Sequence, residues 1–237
     1  MKNSNRTMKY KHIFFDLDRT LWDFEASAMQ AFEVIFDKYE LNKRGVESPF
    51  DFHEKYTDHN EKLWDLYRVG KITKEDLRGK RFYLTLQEYN IQDKDLAENI
   101  GLDYTVISPS LVNLFPNAIE ILTYLKPLYE LHIITNGFSE VQDIKLQSSG
   151  MDKFFKQVIT SEEAGVKKPD SKIFEFALAK SGANLTESIM IGDDYPVDIV
   201  GAQEMGMDQV YFNPQRINNS NGCTFEIADL IELKDIL

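Results

Sequence analysis

The chain has 237 residues, 43% of them hydrophobic and 28% charged, a balance that suits a globular protein with one large domain or a core carrying a smaller inserted one. Its formal net charge of −12 repels polyanions, which excludes a nucleic acid polymer or an acidic membrane surface as a general partner. A small phosphorylated metabolite stays possible if the site builds its own positive potential. One cysteine, Cys223, leaves no pair for an internal disulfide, and no apolar stretch reaches the length of a membrane span, so the expected address is the cytoplasm.

Residues 1–8 are polar, lack the apolar segment of a signal peptide, and read as an extension ahead of the first ordered residue. Five short apolar runs follow along the chain, at 10–15, 131–135, 157–160, 188–191 and 209–212. Each is too short for a helix and lacks a 3.6-residue period, so each reads as a buried strand. Between the first and second runs lies a stretch of helical pattern, from about Phe24 to Ser108. Its stripes are Ala28, Phe32, Ile35, Phe36 and Tyr39, then Leu63, Leu66 and Tyr67, then Leu77, Phe82, Leu84, Leu86 and Tyr89, then Leu96 and Ile100. Some eighty residues are too many for a loop, so this is read as an inserted helical domain. Beyond it, helices are marked by Ala118, Ile121, Leu122 and Leu125, by Ile173, Phe174, Ala177 and Leu178 with Gly182 as the stop, and by Ile199, Ala202 and Met205 with Gly206 as the stop. The segment 213–223 is turn-rich and reads as a surface loop. The expected fold is α/β: a parallel sheet covered on both faces, from residues 1–22 and 109–237, with the helical domain at 23–108.

Four motifs follow predicted strands. Asp16, Asp18 and Thr20 close the first; strand residues two apart point the same way, and two adjacent carboxylates need a cation, for which a hard divalent ion such as Mg²⁺ suits. Thr135-Asn136-Gly137 follows the second and offers a hydroxyl and backbone N–H groups to phosphate oxygens. Lys168-Pro169 offers a compact positive charge before a helix, with Lys167 as a competitor. Gly192-Asp193-Asp194, then Asp198, follow the fourth. Singly, each also reads as ordinary structure: an acidic turn, a polar turn, a solvated lysine, a favourable helix N-terminus. Together they would gather at the carboxyl edge of one sheet, where open α/β sheets bind ligands.

In this order, the segments DLDRT, ITNG, KKP and GDDYPVD resemble the haloacid dehalogenase superfamily over nearly the whole chain, helical insertion included. FFDLDRTLWDF, IITNGF and ITSEEAGVKKPDSKIFEFAL, with the stretches at 60–64 and 70–73, are similar to bacterial pyrimidine 5′-nucleotidases. The resemblance implies a Rossmann-like core with a cap of C1 type and a Mg²⁺-dependent phosphatase. In it Asp16 attacks phosphorus, and Asp18 protonates the leaving alcohol and then activates water. Asp16, the Asp18 backbone carbonyl and Asp193 hold the metal. Thr135, Asn136, Gly137 and Lys168 hold the phosphate, Lys168 also steadying Asp16, while Thr20, Asp194 and Asp198 support the site. The expected substrate is a nucleoside 5′-monophosphate, and the expected state a monomer or weak homodimer. Alternatives are phosphoglycolate or a sugar phosphate as substrate, a phosphomutase, and a 2-haloacid dehalogenase. The last should lack an acid at position 18 and a metal-binding acid at 193. Trp22, Phe24, Asn60, Trp64 and Arg81 are candidates for setting substrate choice.

Overall fold

The computed structural model describes residues 9–217 and 222–237; the expected extension at 1–8 lies outside the described residues, as does part of the 213–223 segment. In chain order the main elements are β1 (His12–Phe15), α1 (Phe24–Lys38), α2 (Pro49–Arg68), α3 (Lys74–Gln87), α4 (Lys94–Ile107), α5 (Ala118–Leu125), β2 (Glu130–Thr135) and α6 (Ser139–Ser149). They continue with β3 (Gln157–Thr160), α7 (Ser161–Ala164), α8 (Ser171–Ser181), β4 (Ser188–Gly192), α9 (Val200–Glu204), β5 (Asp208–Phe212), β6 (Phe225–Ile227) and α10 (Leu233–Ile236). Two compact units emerge: Met1–Asp23 with Leu114–Leu237, and Phe24–Asn113. No helix among the described residues is long and apolar enough to cross a membrane.

The first unit is a parallel sheet in the order β3-β2-β1-β4-β5-β6. β1 lies inside it, and all four of its residues are buried, which is why a continuous apolar run rather than an alternating one encodes it. Phe15 stands in register with Ile133 of β2 on one side and Ile191 of β4 on the other. Residues that follow these three strands therefore emerge at one edge. The helix faces marked by periodicity are buried as expected in α5 and α8, and α8 stops at Gly182, whose φ of 68° needs a residue without a Cβ.

Three features depart from the sequence reading. β6 is an edge strand of three residues with no apolar run to announce it. α6 buries Gln142 and Lys145 beside Leu146, a polar face that periodicity does not reveal. The helix expected from 199 onward opens as a widened π turn over Tyr195–Ile199, which buries Val197, Asp198 and Ile199 in succession before α9 continues. A regular amphipathic helix does not bury three consecutive residues; widened turns of this kind recur at functional sites.

The second unit packs α1–α4 around aromatic rings. The Phe32 ring lies 4.8 Å from Tyr56, 5.3 Å from Tyr104 and 5.5 Å from Phe52, centre to centre. α2 begins earlier than its Leu63 stripe suggested, at Pro49, where the Ser48 hydroxyl accepts the Asp51 N–H. Leu66, placed on that stripe, is exposed, and Phe52, Tyr56 and Asn60 face the core instead.

At the opposite edge of the sheet from the strand carboxyl ends, two imidazoles meet. His12 Nδ1 and His132 Nε2 are 3.2 Å apart, and His132 is fully buried with its Nδ1 unpartnered. The rings are stacked with centres 5.4 Å apart and planes 23° from parallel, and Glu130 Oε2 lies 3.4 Å from His12 Nδ1. Burial, reinforced by the neighbouring His12, lowers the His132 pKa from 6.5 to about 4. The unfolded chain therefore takes up a proton at a pH where the folded one does not. The His132 contribution to stability is fully present above pH 6.5 and is lost as the pH drops toward about 4, where the loss levels off. Urea midpoints measured at several pH values should decline less steeply across that window in His132→Phe than in the wild type; parallel declines would contradict this account.

Candidate active site

The turn after β1 carries the first pair of acids. The Asp16 N–H donates to the Ile191 carbonyl at 2.8 Å, which extends the sheet by one bond and fixes Asp16 at the carboxyl edge. The chain then reverses at Arg19, in the left-handed region at φ 63°, with the N–H groups of Leu21 and Trp22 both bonded to the Leu17 carbonyl. Because of this turn the carboxylates of Asp16 and Asp18 do not share one cation, as simple strand alternation suggested. Asp16 faces Lys168, and Asp18 faces α6.

Lys168 is the organising cation. Its Nζ is buried, lies 2.5 Å from Asp16 Oδ1 and 2.6 Å from Asp198 Oδ1, and donates to the Ile134 carbonyl at 2.9 Å. The competitor Lys167 is only partly buried and is not among these contacts. Asn136 acts on the lysine from behind. Its Nδ2 donates to the Lys168 carbonyl at 3.0 Å and its Oδ1 accepts the Lys168 N–H at 2.8 Å. The Asn136 side chain thus clamps the peptide that carries the lysine. The Thr135 hydroxyl accepts the Gly137 N–H at 3.0 Å, folding the strand exit into a tight turn. A Cβ at residue 137 would fall 1.7 Å from Gln142 Nε2, so a side chain there would push the Gln142 amide aside.

The fourth motif completes an acidic cluster. Carboxylate oxygens of Asp16, Asp193 and Asp198 all lie within 4.8 Å of one another. Thr20, buried below them, donates to Asp193 Oδ1 at 3.1 Å. Asp194 points elsewhere and caps the widened turn, accepting the Val197 N–H at 3.3 Å. Asp198, expected only as a supporting residue, sits inside the cluster, accepts the Asp194 N–H at 3.2 Å and pairs with Lys168. A Cβ on residue 192 would lie 2.3 Å from Asp198 Oδ2, which explains the glycine at the strand exit.

Three carboxylates against one ammonium leave two negative charges unbalanced. Burial, opposed by Lys168 and reinforced by Asp198 and Asp193, pushes the Asp16 carboxyl well above the usual carboxylate range. Burial and the Asp198 charge raise Asp193 to about 7. Burial alone would lower Lys168, but Asp16 and Asp198 outweigh it and hold the ammonium charged. The cluster fits a small divalent cation. Its donors are all oxygen, its excess charge is of the right size, and its spread is close to the roughly 4 Å between opposite ligands of Mg²⁺ at 2.0–2.1 Å. The Asp18 carboxylate is not part of it.

Two residues missed by motif reading complete the picture. Lys145 and Gln142, both buried on α6, grip Asp18: Gln142 Nε2 donates to Oδ2 at 2.9 Å and Lys145 Nζ donates to Oδ1. The available signal was a helix placed directly after Gly137 with polar residues three apart on what should be its inner face. Of the residues considered for substrate choice, Trp22 is fully buried. Asn60 and Arg81 are engaged with each other inside the helical unit, where Arg81 donates to Asn60 Oδ1 at 3.1 Å and lies over the rings of Tyr56, Phe82 and Tyr104.

A family model for haloacid dehalogenase-like hydrolases matches residues 10–206. YfnB, a HAD-hydrolase of Bacillus subtilis (strain 168), is 30% identical over 97% of this chain and 96% of its own. Its magnesium-bound crystal structure matches with a TM-score of 0.87 at 28% identity, covering 97% of this chain and 99% of that one. The pyrimidine 5′-nucleotidase YjjG of Escherichia coli (strain K12) is 30% identical over 97% of this chain and 99% of its own. The pyrimidine 5′-nucleotidase PynA of Streptococcus pneumoniae is 29% identical, covering 97% of this chain and 96% of its own. With the parallel sheet, the lysine-bridged acids and a match spanning most of its length, the chain belongs to the haloacid dehalogenase-like hydrolase family.

Proposed function

We propose that this hydrolase is a magnesium-dependent phosphatase of small phosphomonoesters, with a pyrimidine nucleoside 5′-monophosphate as substrate. The observation that carries the reading is the buried Lys168 ammonium held between Asp16 and Asp198, with Asp193 alongside. An anionic carboxylate attacks an anionic phosphate poorly unless positive charge offsets both. Lys168 supplies one such charge at the nucleophile. Asp16, Asp193 and the Asp18 backbone carbonyl are the groups that would hold Mg²⁺, with Asp198 beside them; the ion, when bound, neutralises phosphate charge.

In the first half of the reaction an Asp16 carboxylate oxygen bonds to phosphorus, the bond from phosphorus to the ester oxygen breaks, and that oxygen takes the proton of Asp18. In the second half a water oxygen bonds to phosphorus, Asp18 takes the water proton, and the bond from phosphorus to Asp16 breaks. Inorganic phosphate leaves and Asp16 is regenerated. Thr135 and the backbone N–H groups at 136 and 137, at the same sheet edge, would donate hydrogen bonds to the phosphate oxygens. Residues 24–113 would act as the cap. The presence of both Asp18 and Asp193 supports phosphate over halide chemistry, since a halide leaves without a proton and that branch needs no metal. The nucleotidase names of two relatives that match at nearly full length support the substrate class.

Asp16→Asn should lower kcat by about 10³-fold or more while circular dichroism stays native, because the amide cannot form the intermediate; full activity would remove the covalent route. Mg²⁺ should raise the melting temperature of the wild type and much less that of Asp193→Asn, and a chelator should abolish turnover. In a panel of phosphomonoesters, dUMP, dTMP or UMP should be hydrolysed; turnover of sugar phosphates without these would overturn the nucleotide assignment.

A further inference from the structure

Lysine is almost never fully buried without a partner. Lys145 is 3% exposed, and the carboxylate its ammonium meets belongs to Asp18. Gln142, one helical turn earlier on the same face of α6, holds the other oxygen of that carboxylate. A terminal carboxylate torsion is broad when free; donors on both oxygens from one rigid helix restrict it to a single orientation. The arrangement is also lopsided. The ammonium is sealed against the Trp22 ring, its Nζ 5.5 Å from the ring centre, while the Asp18 side chain remains 28% exposed. An ion pair serving only to hold the fold has no need for one partner to stay open. Gly137 belongs to the same device, since any side chain there would displace Gln142.

We propose that Lys145 and Gln142 are positioning residues for Asp18, which fix the orientation in which it passes its proton to the leaving oxygen. This rests on the phosphatase reading and extends it. Proton donation matters in proportion to the basicity of the leaving group. An alkoxide cannot leave without a proton, whereas p-nitrophenolate can. A fault in the aim of Asp18 therefore appears as a change in leaving-group selectivity, whereas a fault in folding lowers both substrates together.

The test compares kcat/KM, which reports the phosphoryl transfer to Asp16, for p-nitrophenyl phosphate and for the best alkyl phosphate of the panel at saturating Mg²⁺. Lys145→Met should lose about ten- to a hundredfold on the alkyl ester and less than about threefold on the aryl ester. Lys145→Arg should recover part of the alkyl activity. Gln142→Leu should show the same pattern in weaker form, and it removes a buried amide whose Oε1 lacks a partner, so it serves where Lys145→Met does not fold. Equal losses on both esters, or no loss in either variant, would overturn the assignment. A wild type that hydrolyses neither ester would overturn the phosphatase reading and this inference with it.

Discussion

The site depends on one buried ammonium. Lys168 stands between Asp16 and Asp198, and without it these two of the three clustered carboxylates would lose the ammonium that offsets their repulsion. Even with it the cluster carries excess negative charge, and its members respond as physics requires. Asp16 and Asp193 are pushed up by burial and by their neighbours, while Lys168 is held charged. Such a site is unfavourable as a piece of architecture, since replacing buried charges by apolar groups is often neutral or stabilising. What the arrangement gains is an excess of negative charge that a divalent cation could complete.

The rest of the core serves to hold that lysine still. Asn136 locks its peptide from two sides, so the second motif positions the third. The register of β1 with β2 and β4 brings Asp16 out one residue before the level of Thr135 and Asp193, at the same sheet edge. Two glycines, at 137 and 192, stand where a side chain would collide with Gln142 or Asp198. Loss of Asn136 or Gly192 would act by moving Lys168 or Asp198, and loss of Gly137 by moving Gln142.

The parts of this design that follow strands were legible in the sequence, and the parts that turn away from them were not. Strands buried on both faces appear as unbroken apolar runs, so the residues just past 15, 135 and 192 declared themselves by position. Asp198 looked like a helix N-terminal residue because a widened turn leaves no mark in the pattern of residues. The clamp that the Asn136 side chain places on the Lys168 peptide was hidden because the two lie 32 positions apart. β6 escaped notice because three residues at a sheet edge carry too little apolar pattern. Asn60 and Arg81 suggested a ligand because polar residues in a helical stripe often face one, yet they meet each other beneath aromatic rings.

The two lysines divide the work between two acids that lie two residues apart. In the proposed reaction Asp16 and Asp18 need opposite treatment. A nucleophile must stay ionised and fixed toward phosphorus, while an acid–base group must change its protonation twice per turnover yet keep its direction. One shared cation would tie their charges together, so a proton moving on one would disturb the other. The turn at Arg19 and the placement of α6 avoid this by giving each carboxylate its own ammonium: Lys168 behind Asp16, in company with Asp198, and Lys145 behind Asp18, in company with a neutral amide. The difference in company is the informative part. Asp198 adds a negative charge that keeps Lys168 bound into a cluster suited to a metal, whereas Gln142 adds direction without charge and Asp18 keeps an open face.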